Sequence, residues 1–421
     1  MCGIAGFLNL RDLPVEKGDS KLDVMGDLLA HRGLDGEGKW MDELGKVGLV
    51  HRRLSIIDLS PAGSQPMHGE DGTIITLNGE IYNYLELQET LRGNWDFSSD
   101  SDTETVLAAY DKYGEDCVDH LRGMFAFAIW DQRKQRLFCS RDRFGIKPFY
   151  YTVVDKVFYF ASEAKALLPV LPNIETDPDA MAEYLTFNFV IGESTLFKGI
   201  KQLLPGHSLT IEGERVRLRR YWDINYEVDW DHGEEWFQEQ LRSHLDDSVA
   251  VHLRSDVPVG AYLSGGIDSS LMAILAADKN SENKEAFHGR FLEYPGYDES
   301  NFAEMASEKI GGNLNIIDIT HKDFEENLRK VIYHLDYPVA GPGSFPQFMV
   351  SKLAAEKVKV VLGGQGGDEI FGGYARYLLA YFEQCINAAI DGTYKDGNFV
   401  VTIESIVPNL GILREYKPMM R

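Results

Sequence analysis

Cys2, directly behind the initiator methionine, is the residue with the clearest chemical opportunity in this chain. A small second residue permits removal of Met1, which would leave Cys2 as the true N-terminus. A terminal α-amine has a pKa of about 8, so part of it is neutral near pH 7 and can act as a base. Thiol and base would then share one residue, the arrangement of N-terminal nucleophile enzymes. Taken alone, Cys2 also fits an incidental residue beside a first strand. A second opportunity lies at Ser264-Gly265-Gly266-Ile267-Asp268-Ser269-Ser270, which follows the apolar run Val259–Leu263. Strand, glycine turn and helix start form an anion cradle, because exposed N–H groups and the helix dipole both favour phosphate. No GxxxxGK[ST] is present, so this is not a Walker-type loop. The alternative is a glycine-rich turn that binds nothing.

Asp268 suits a magnesium ion shared with phosphates, since Mg²⁺ prefers oxygen ligands and uses few carboxylates. A further cluster, Gly363-Gly364-Gln365-Gly366-Gly367-Asp368-Glu369, follows the apolar run Val358–Leu362 and should reach the same sheet edge. Asp368 is the candidate for a second metal-binding carboxylate. Solvated acids on a glycine loop are the alternative there.

The elements that must position these groups differ between the two halves. Val47–Asp58, Thr73–Glu80, Gly123–Trp130, Arg136–Ser140, Phe149–Val154 and Val157–Ala161 read as strands. Leu22–Ala30 and Thr103–Tyr113 carry helical spacing. Closely spaced strands with few helices imply a layered α+β domain of packed sheets. The polar, acidic stretch Asp223–Glu234 looks like a linker. Beyond it, strands at Val257–Leu263, Phe287–Phe291, Leu314–Ile319 and Val358–Leu362 alternate with helices at Ser269–Ala277, Glu299–Ile310, Phe324–Leu335 and Gln347–Glu356. That alternation implies an α/β domain with a parallel sheet, whose ligands bind at the carboxyl ends of the strands.

Bulk properties exclude several classes. With 421 residues, two or three domains are expected. A formal net charge of −24 argues against sequence-independent nucleic-acid binding, which needs a basic surface. No apolar run approaches the ~20 residues that cross a bilayer. The N-terminus lacks a basic leader, so the cytoplasm is the default compartment. Cys2, Cys117, Cys139 and Cys385 are scattered and suit neither a disulfide framework nor a zinc site.

Five ordered motifs carry a family resemblance. Met1-Cys2-Gly3-Ile4-Ala5-Gly6, His31-Arg32-Gly33-Leu34-Asp35-Gly36, His51-Arg52-Arg53-Leu54-Ser55-Ile56-Ile57-Asp58, Leu77-Asn78-Gly79-Glu80-Ile81-Tyr82-Asn83 and Ser101-Asp102-Thr103-Glu104 resemble the class II glutamine amidotransferases. The second departs from HRGPDG by Leu34, and the fourth matches an NGEIYN loop. Ser264–Ser270 resembles the pyrophosphate loop of ATP pyrophosphatases. Together they resemble the glutamine-hydrolysing asparagine synthetases over essentially the whole chain. The resemblance implies an N-terminal nucleophile glutaminase sandwich (αββα) at residues 1–215, a linker at 216–235, and an ATP-pyrophosphatase-type synthetase domain at 236–421 that lacks its C-terminal part. It also implies an internal ammonia tunnel.

On that resemblance Cys2 attacks glutamine, and the Asn78 side-chain amide and Gly79 N–H hold the oxyanion. Arg53 offers a planar fork for the α-carboxylate. Asp102 faces the α-ammonium with help from Glu80, and backbone groups around Leu54, Ile56 and Ile57 hold the rest. ATP falls to Leu263, Ser264, Gly265, Gly266, Asp268, Ser269, Ser270, Gly289, Gly363 and Gly364, with Mg²⁺ on Asp268 and Asp368. Aspartate would be adenylated and then attacked by ammonia. The expected partners are small molecules, namely glutamine, ATP and aspartate. A homodimer stays open, and neither nucleic acid nor membrane is expected.

Departures keep the acceptor open. The family's glutamate at the acceptor site is Gln365, which can hydrogen-bond but is no useful base. Its DEP segment is Asp336-Tyr337-Pro338, and its FSxGF strand is Phe287-His288-Gly289-Arg290-Phe291. The lysine that contacts the reacting phosphate in this family has no matching position before Arg421. The alternatives are a related enzyme that amidates a sugar or peptide carboxylate, and a non-catalytic relative that binds nucleotide or glutamine.

Overall fold

The computed structural model describes residues 1–391 except 71, 228, 230, 281–283, 294–295, 297 and 339–342. The expectation of a missing C-terminal part near Arg421 lies outside the described residues. The chain forms two compact units. One comprises Met1–Val259, Phe291–Glu293 and Ile317–Val360, and the other Gly260–Arg290, Tyr294–Ile316 and the chain from Val361.

In the first unit the strands are β1 (Gly3–Asn9), β2 (Gly36–Met41), β3 (Val47–Arg53), β4 (Met67–His68), β5 (Thr73–Ile81) and β6 (Gly123–Asp131). They are followed by β7 (Arg136–Arg141), β8 (Tyr150–Val154), β9 (Val157–Ala161), β10 (Lys201–Gln202), β11 (His207–Glu212) and β12 (Arg215–Arg220). Two six-stranded sheets result, ordered β10-β8-β9-β1-β3-β2 and β12-β11-β7-β6-β5-β4. Antiparallel pairing runs through both.

Side-chain alternation along the strands decides the layers. In β1, Ile4 and Leu8 enter the core between the sheets, whereas Ala5 and Phe7 pack with Leu22 and Met25 of helix Gly18–Leu28. In β5, Ile74 enters the core between the sheets. Ile75, Leu77 and Ile81 pack with residues of helices Tyr84–Leu91 and Asp102–Tyr113. The order is helix, sheet, sheet, helix, as the αββα expectation has it. Phe149 stacks on Phe160 at 5.3 Å between centroids, and Phe158 joins them. Burying each such side chain contributes about 1.5–3 kcal/mol. Ser101 caps helix Asp102–Tyr113 by accepting from Thr103 N at 3.2 Å, which starts that helix at Asp102.

Three expectations change. The strand expected through Asp58 stops at Arg53, and residues 54–60 form a loop in which Asp58 has φ +53°. The strand expected over Thr73–Glu80 runs one residue further, to Ile81, so most of the segment likened to an NGEIYN loop lies on β5, because β6 pairs with it as far as Gly123. The linker expected from 216 begins inside β12, which pairs with β11 from Arg215 to Arg220.

A four-stranded sheet underlies the second unit. Its strands are β13 (Val259–Tyr262), β14 (Glu285–Arg290), β15 (Asn313–Asp318) and β16 (Val360–Leu362), in the order β15-β14-β13-β16. β13 and β14 are parallel, with Ala261 opposite Ala286. Ala273 of helix Ile267–Lys279 and Ala303 and Ala306 of helix Ser300–Ile310 share a core with Ala261, Leu263 and Ala286. Alanine at these positions lets helix and sheet backbones approach closely. This is the parallel α/β domain that the alternation implied.

A Cβ at Gly6 would fall 2.5 Å from Gly48 O and 2.7 Å from the Phe160 ring. Gly6→Ala should therefore cost about 1–3 kcal/mol, since overpacking displaces β1 from its neighbours β3 and β9 in the same sheet. Chemical denaturation of the purified variant should show a lower midpoint, and an unchanged midpoint would contradict this packing.

Candidate active site

Strand parity places the first group of candidates in one layer. Cys2 has the parity of Ile4 and Leu8, and Asn78 that of Ile74, so both belong to the face between the sheets. β3 contributes the same parity at His51 and Arg53, next to Val47 and Leu49 of that core. Opposite Asn78 stands Ala126, a small residue that leaves room. Asn78 is fully buried, and neither Nδ2 nor Oδ1 of its amide has a hydrogen-bond partner among the described residues. The Cys2 thiol donates to Leu54 O at 3.6 Å, and Leu54 N donates to the sulfur at 3.4 Å. Arg32 Nε donates to the Cys2 carbonyl at 2.8 Å.

The edge of β5 supplies backbone donors. Phe125 spends both its N–H and its C=O on Asp142. The Gly79–Phe125 pair is therefore a non-hydrogen-bonded one, and the Gly79 N–H points away from β6. Its neighbours of equal parity point the same way. Leu77 N donates to Gln65 Oε1 at 2.6 Å, and Ile81 N to Asp102 Oδ2 at 2.9 Å. Gly79 stands between them. A Cβ there would fall 2.4 Å from Met124 O, so only glycine fits this pairing.

The charged candidates are held by loops. Arg53 donates to Ser60 O at 3.0 Å and to Asp58 O. Asp58 in turn accepts from Ser60 N at 3.0 Å and Asp100 N at 3.2 Å. The same loop is clasped by Asp256, which accepts from Asp58 N at 2.7 Å and donates to Ile56 O at 3.0 Å. Of the loop residues expected to hold a ligand, Leu54 touches the thiol, while Ile56 and the buried Ile57 lie further along it. Glu104 of the SDTE turn faces elsewhere, accepting from Trp95, Ser98 and Ser99.

Burial sets the protonation of the whole cluster. It pushes the Cys2 thiol up, so the sulfur rests as a thiol. The terminal amine here is that of Met1, standing for the Cys2 amine that Met1 removal would expose, and burial pushes it down to about 5. Burial and the charge of Asp102 push Glu80 up. Burial pushes Asp102 to about 6 against the hydrogen bonds from Ile81 and Thr103. Burial also pulls Lys147 down, against the attraction of Glu80. Sequence reasoning missed Lys147. Its position is set by Asp142, which accepts from Phe144 N at 3.1 Å, Ile146 N at 3.0 Å and Lys147 N at 2.9 Å, a turn signalled only by the Asp-x-x-Gly spacing. His51 is neutral, since burial pulls it down to about 3, and its Nε2 meets Leu77 O at 3.2 Å.

In the second unit, Leu263 is buried and Leu263 N donates to Phe287 O at 2.9 Å. Ser264 Oγ and Ser269 Oγ lie 2.9 Å apart, and Gly266 N donates to Ser264 Oγ at 3.3 Å. Gly265 adopts φ +96°, where a Cβ would also meet Glu299 O at 2.7 Å. Gly266 caps helix Ile267–Lys279 without a side chain, which leaves the helix start clear for an anion, with Asp268 and Ser270 in or near the first turn. The second glycine loop lies against it. A Cβ at Gly364 would fall 2.8 Å from Ser269 N, and one at Gly367 2.4 Å from Asp268 Oδ2. The Asp268 carboxylate thus abuts the residue preceding Asp368, in the first turn of helix Gly367–Phe371. Asp268 stands at the clear helix start and Asp368 on the adjoining turn, and carboxylates are the oxygen donors that a magnesium ion shared with phosphate takes. Gln365 folds back so that its Oε1 lies over Gly363. Gly289 lies in β14 beside the buried His288, whose Nδ1 meets Leu263 O at 2.8 Å.

Residues 1–222 match the glutamine amidotransferase domain family and residues 240–414 the asparagine synthase family. Sandwich, parallel sheet and motifs therefore define a class II glutamine amidotransferase domain fused to an asparagine synthase domain. The chain belongs to the asparagine synthetase family. It is 40% identical over 382 residues to glutamine-hydrolysing asparagine synthetase 1 of Bacillus subtilis, covering 90% of this chain and 59% of that protein. It is 34% identical over 405 residues to a putative asparagine synthetase of Methanocaldococcus jannaschii, covering 90% and 77%. It is also 34% identical over 401 residues to amidase chry2 of Gibberella zeae, covering 89% and 59%. The chain thus spans 59% of the length of the first and last of these relatives. No described helix is long and apolar enough to cross a membrane.

Asp102 yields a signed prediction. Its folded pKa of about 6 lies above the model-peptide 3.8, so the folded state binds the extra proton between those values. Its contribution to stability is therefore favourable below pH 4 and is lost as pH rises through about 6. Asp102→Asn should melt a few degrees above the wild type at pH 7, with the gap closing towards pH 4. A gap that widens towards pH 4 would contradict the assigned shift.

Proposed function

We propose that the protein is a glutamine-dependent asparagine synthetase that makes asparagine, AMP and pyrophosphate from aspartate, ATP and glutamine. The observation that carries the proposal is the buried Asn78 amide, without a hydrogen-bond partner among the described residues and on the same layer as the Cys2 thiol. Cys2 Sγ attacks the glutamine side-chain carbonyl and its proton passes to the terminal amine. Asn78 Nδ2–H and Gly79 N–H hold the oxyanion. The amine returns the proton to the leaving nitrogen, ammonia departs, and water hydrolyses the thioester to glutamate. Arg53 takes the α-carboxylate of the substrate. Asp102, with Glu80, takes its α-ammonium, and the backbone at Leu54, Ile56 and Ile57 borders the rest.

Ser264, Gly265, Gly266, Ser269 and Ser270 would cradle the pyrophosphate of ATP, and Leu263, Gly289, Gly363 and Gly364 would border the nucleotide. Asp268 and Asp368 would hold Mg²⁺, which supplies charge neutralisation as pyrophosphate leaves. The aspartate carboxylate attacks the α-phosphate, since a free carboxylate is a poor electrophile. Ammonia then attacks the mixed anhydride and AMP departs. Gln365 can hydrogen-bond the intermediate but cannot accept its proton. An internal tunnel would keep ammonia unprotonated between the two steps. The cytoplasm, where glutamine, ATP and aspartate are abundant, is the matching compartment.

A second reading is amidation of another carboxylate. Gln365 in place of the family's glutamate favours it, and one relative is named an amidase. Mass spectrometry of reactions containing glutamine, Mg-ATP and candidate acids separates the two. Asparagine with AMP is the expected result. ATP turnover only with another acid would overturn the aspartate assignment, and ADP would overturn adenylation. Cys2→Ala should abolish glutamine use and leave ammonia use. Asn78→Ala should lower kcat for glutamine hydrolysis by about 10²–10³-fold. Undiminished hydrolysis in either variant would remove the first site.

A further inference from the structure

A file of alternating charges runs away from the Cys2 carbonyl. Arg32 donates to the Cys2 carbonyl at 2.8 Å and to Glu163 Oε1 at 2.7 Å. Lys165 pairs with the other oxygen of Glu163, and also with Asp336 Oδ1 at 2.8 Å. Lys165 N donates to Asp336 Oδ2 at 3.3 Å. These four side chains are only 6–8% exposed. The pairs span 131 and 171 residues of sequence. They begin in the segment that matches the amidotransferase family and end in the one that matches the asparagine synthase family.

Asp336 is unfavourable where it stands on local grounds alone. It caps the C-terminus of helix His321–Leu335, where the helix dipole disfavours negative charge. Its φ of +66° is in the left-handed region. It is buried, which raises its pKa against the pull of Lys165. Local choices that disagree with propensity mark positions held for another reason. Glu163, by contrast, is pulled down to about 2, its burial outweighed by His31, Arg32 and Lys165. Lys165 also lies over the Tyr333 ring at 4.9 Å, so its position is fixed from the same helix.

We propose that Asp336 is a positioning residue for the Cys2 nucleophile, acting through Lys165, Glu163 and Arg32 on the Cys2 carbonyl. The proposal rests on the reading of Cys2 as nucleophile. A change in the Asp336-Tyr337 segment would then be felt at the thiol, although Asp336 touches neither glutamine nor the sulfur.

The test compares wild type, Asp336→Asn, Asp336→Glu and Lys165→Met. Iodoacetamide labelling followed by peptide mass spectrometry reads Cys2, with the buried Cys117 and Cys139 as internal controls of the fold. Steady-state kinetics reads glutamine hydrolysis. In Asp336→Asn and Lys165→Met, Cys2 should label at least about threefold faster while Cys117 and Cys139 stay protected. Their kcat should fall on the order of tenfold with KM for glutamine little changed, since misplacement of a reacting group acts on the chemical step. Asp336→Glu, which keeps the charge, should restore most of both. If Asp336→Asn exposes Cys117 and Cys139, Lys165→Met breaks the same file from its other side. Wild-type Cys2 labelling in both variants, or failure of Asp336→Glu to restore it, overturns the proposal. A wild type that does not hydrolyse glutamine defeats the function proposed above, and the labelling comparison still decides the positioning role.

Discussion

A buried amide with neither end hydrogen-bonded costs about 1–3 kcal/mol for each polar group left alone, and among the described residues Asn78 has no partner for either end in the middle of a well-packed layer. The surrounding structure is arranged so that it can persist. β6 pairs with the whole length of β5 and fixes its register. Gln65 and Asp102 take the N–H groups on either side of Gly79. Ala126 stands opposite, where a larger residue would fill the space that the amide faces. The helices under Leu77 and Ile81 hold the strand from its other face. Strand parity puts the Asn78 amide in the layer that holds the thiol, and the pairing register leaves the Gly79 N–H at the edge of β5 away from β6.

The ionisable groups around that layer obey a single rule. Desolvation drives each towards its neutral form, raising Cys2, Glu80 and Asp102 and lowering Lys147 and the terminal amine. The resting site is therefore a thiol beside a neutral base, with the carboxyls of Glu80 and Asp102 both pushed up by burial. A zwitterionic substrate would bring the opposite charges that favour ionised Asp102 and paired Arg53. On the proposed mechanism the thiolate is needed only when a substrate is present, which limits side reactions of the cysteine. In the second unit the logic reverses. There the loop offers backbone N–H groups and a clear helix start, and Asp268 lies against the adjoining glycine turn.

Apolar runs made β3, β5, β6, β7, β8 and β9 legible, because strands packed on both faces read as nearly continuous hydrophobic segments. Val157–Ala161 and the start of β5 at Thr73 match the reading of the residues. The motif residues were legible by type, and Gly79 and Gly364 among them prove to be positions where a Cβ would strike backbone. The end of β5 is legible to within one residue from its apolar run, although Asn-Gly is also a turn signal, and pairing with β6 decides between them. The end of β3 was misread because Asp58 reverses the chain after an apolar stretch. Lys147, Glu163 and Lys165 were not legible at all. Their roles depend on partners far away in sequence, and a lone lysine or glutamate ordinarily reads as surface. Gln365 and Arg290 were visible as departures, but a departure shows what is lost without showing what replaces it.

The most direct test of the central claim uses an electrophilic diazoketone analogue of glutamine, which alkylates a nucleophile seated where the amide carbonyl would be. Intact-protein and peptide mass spectrometry should show a single adduct on Cys2. Its formation should be slowed in Asn78→Ala, which removes one oxyanion donor, and protected by excess glutamine. An adduct on Cys117, Cys139 or Cys385 in place of Cys2, or a rate indifferent to Asn78, would contradict the account.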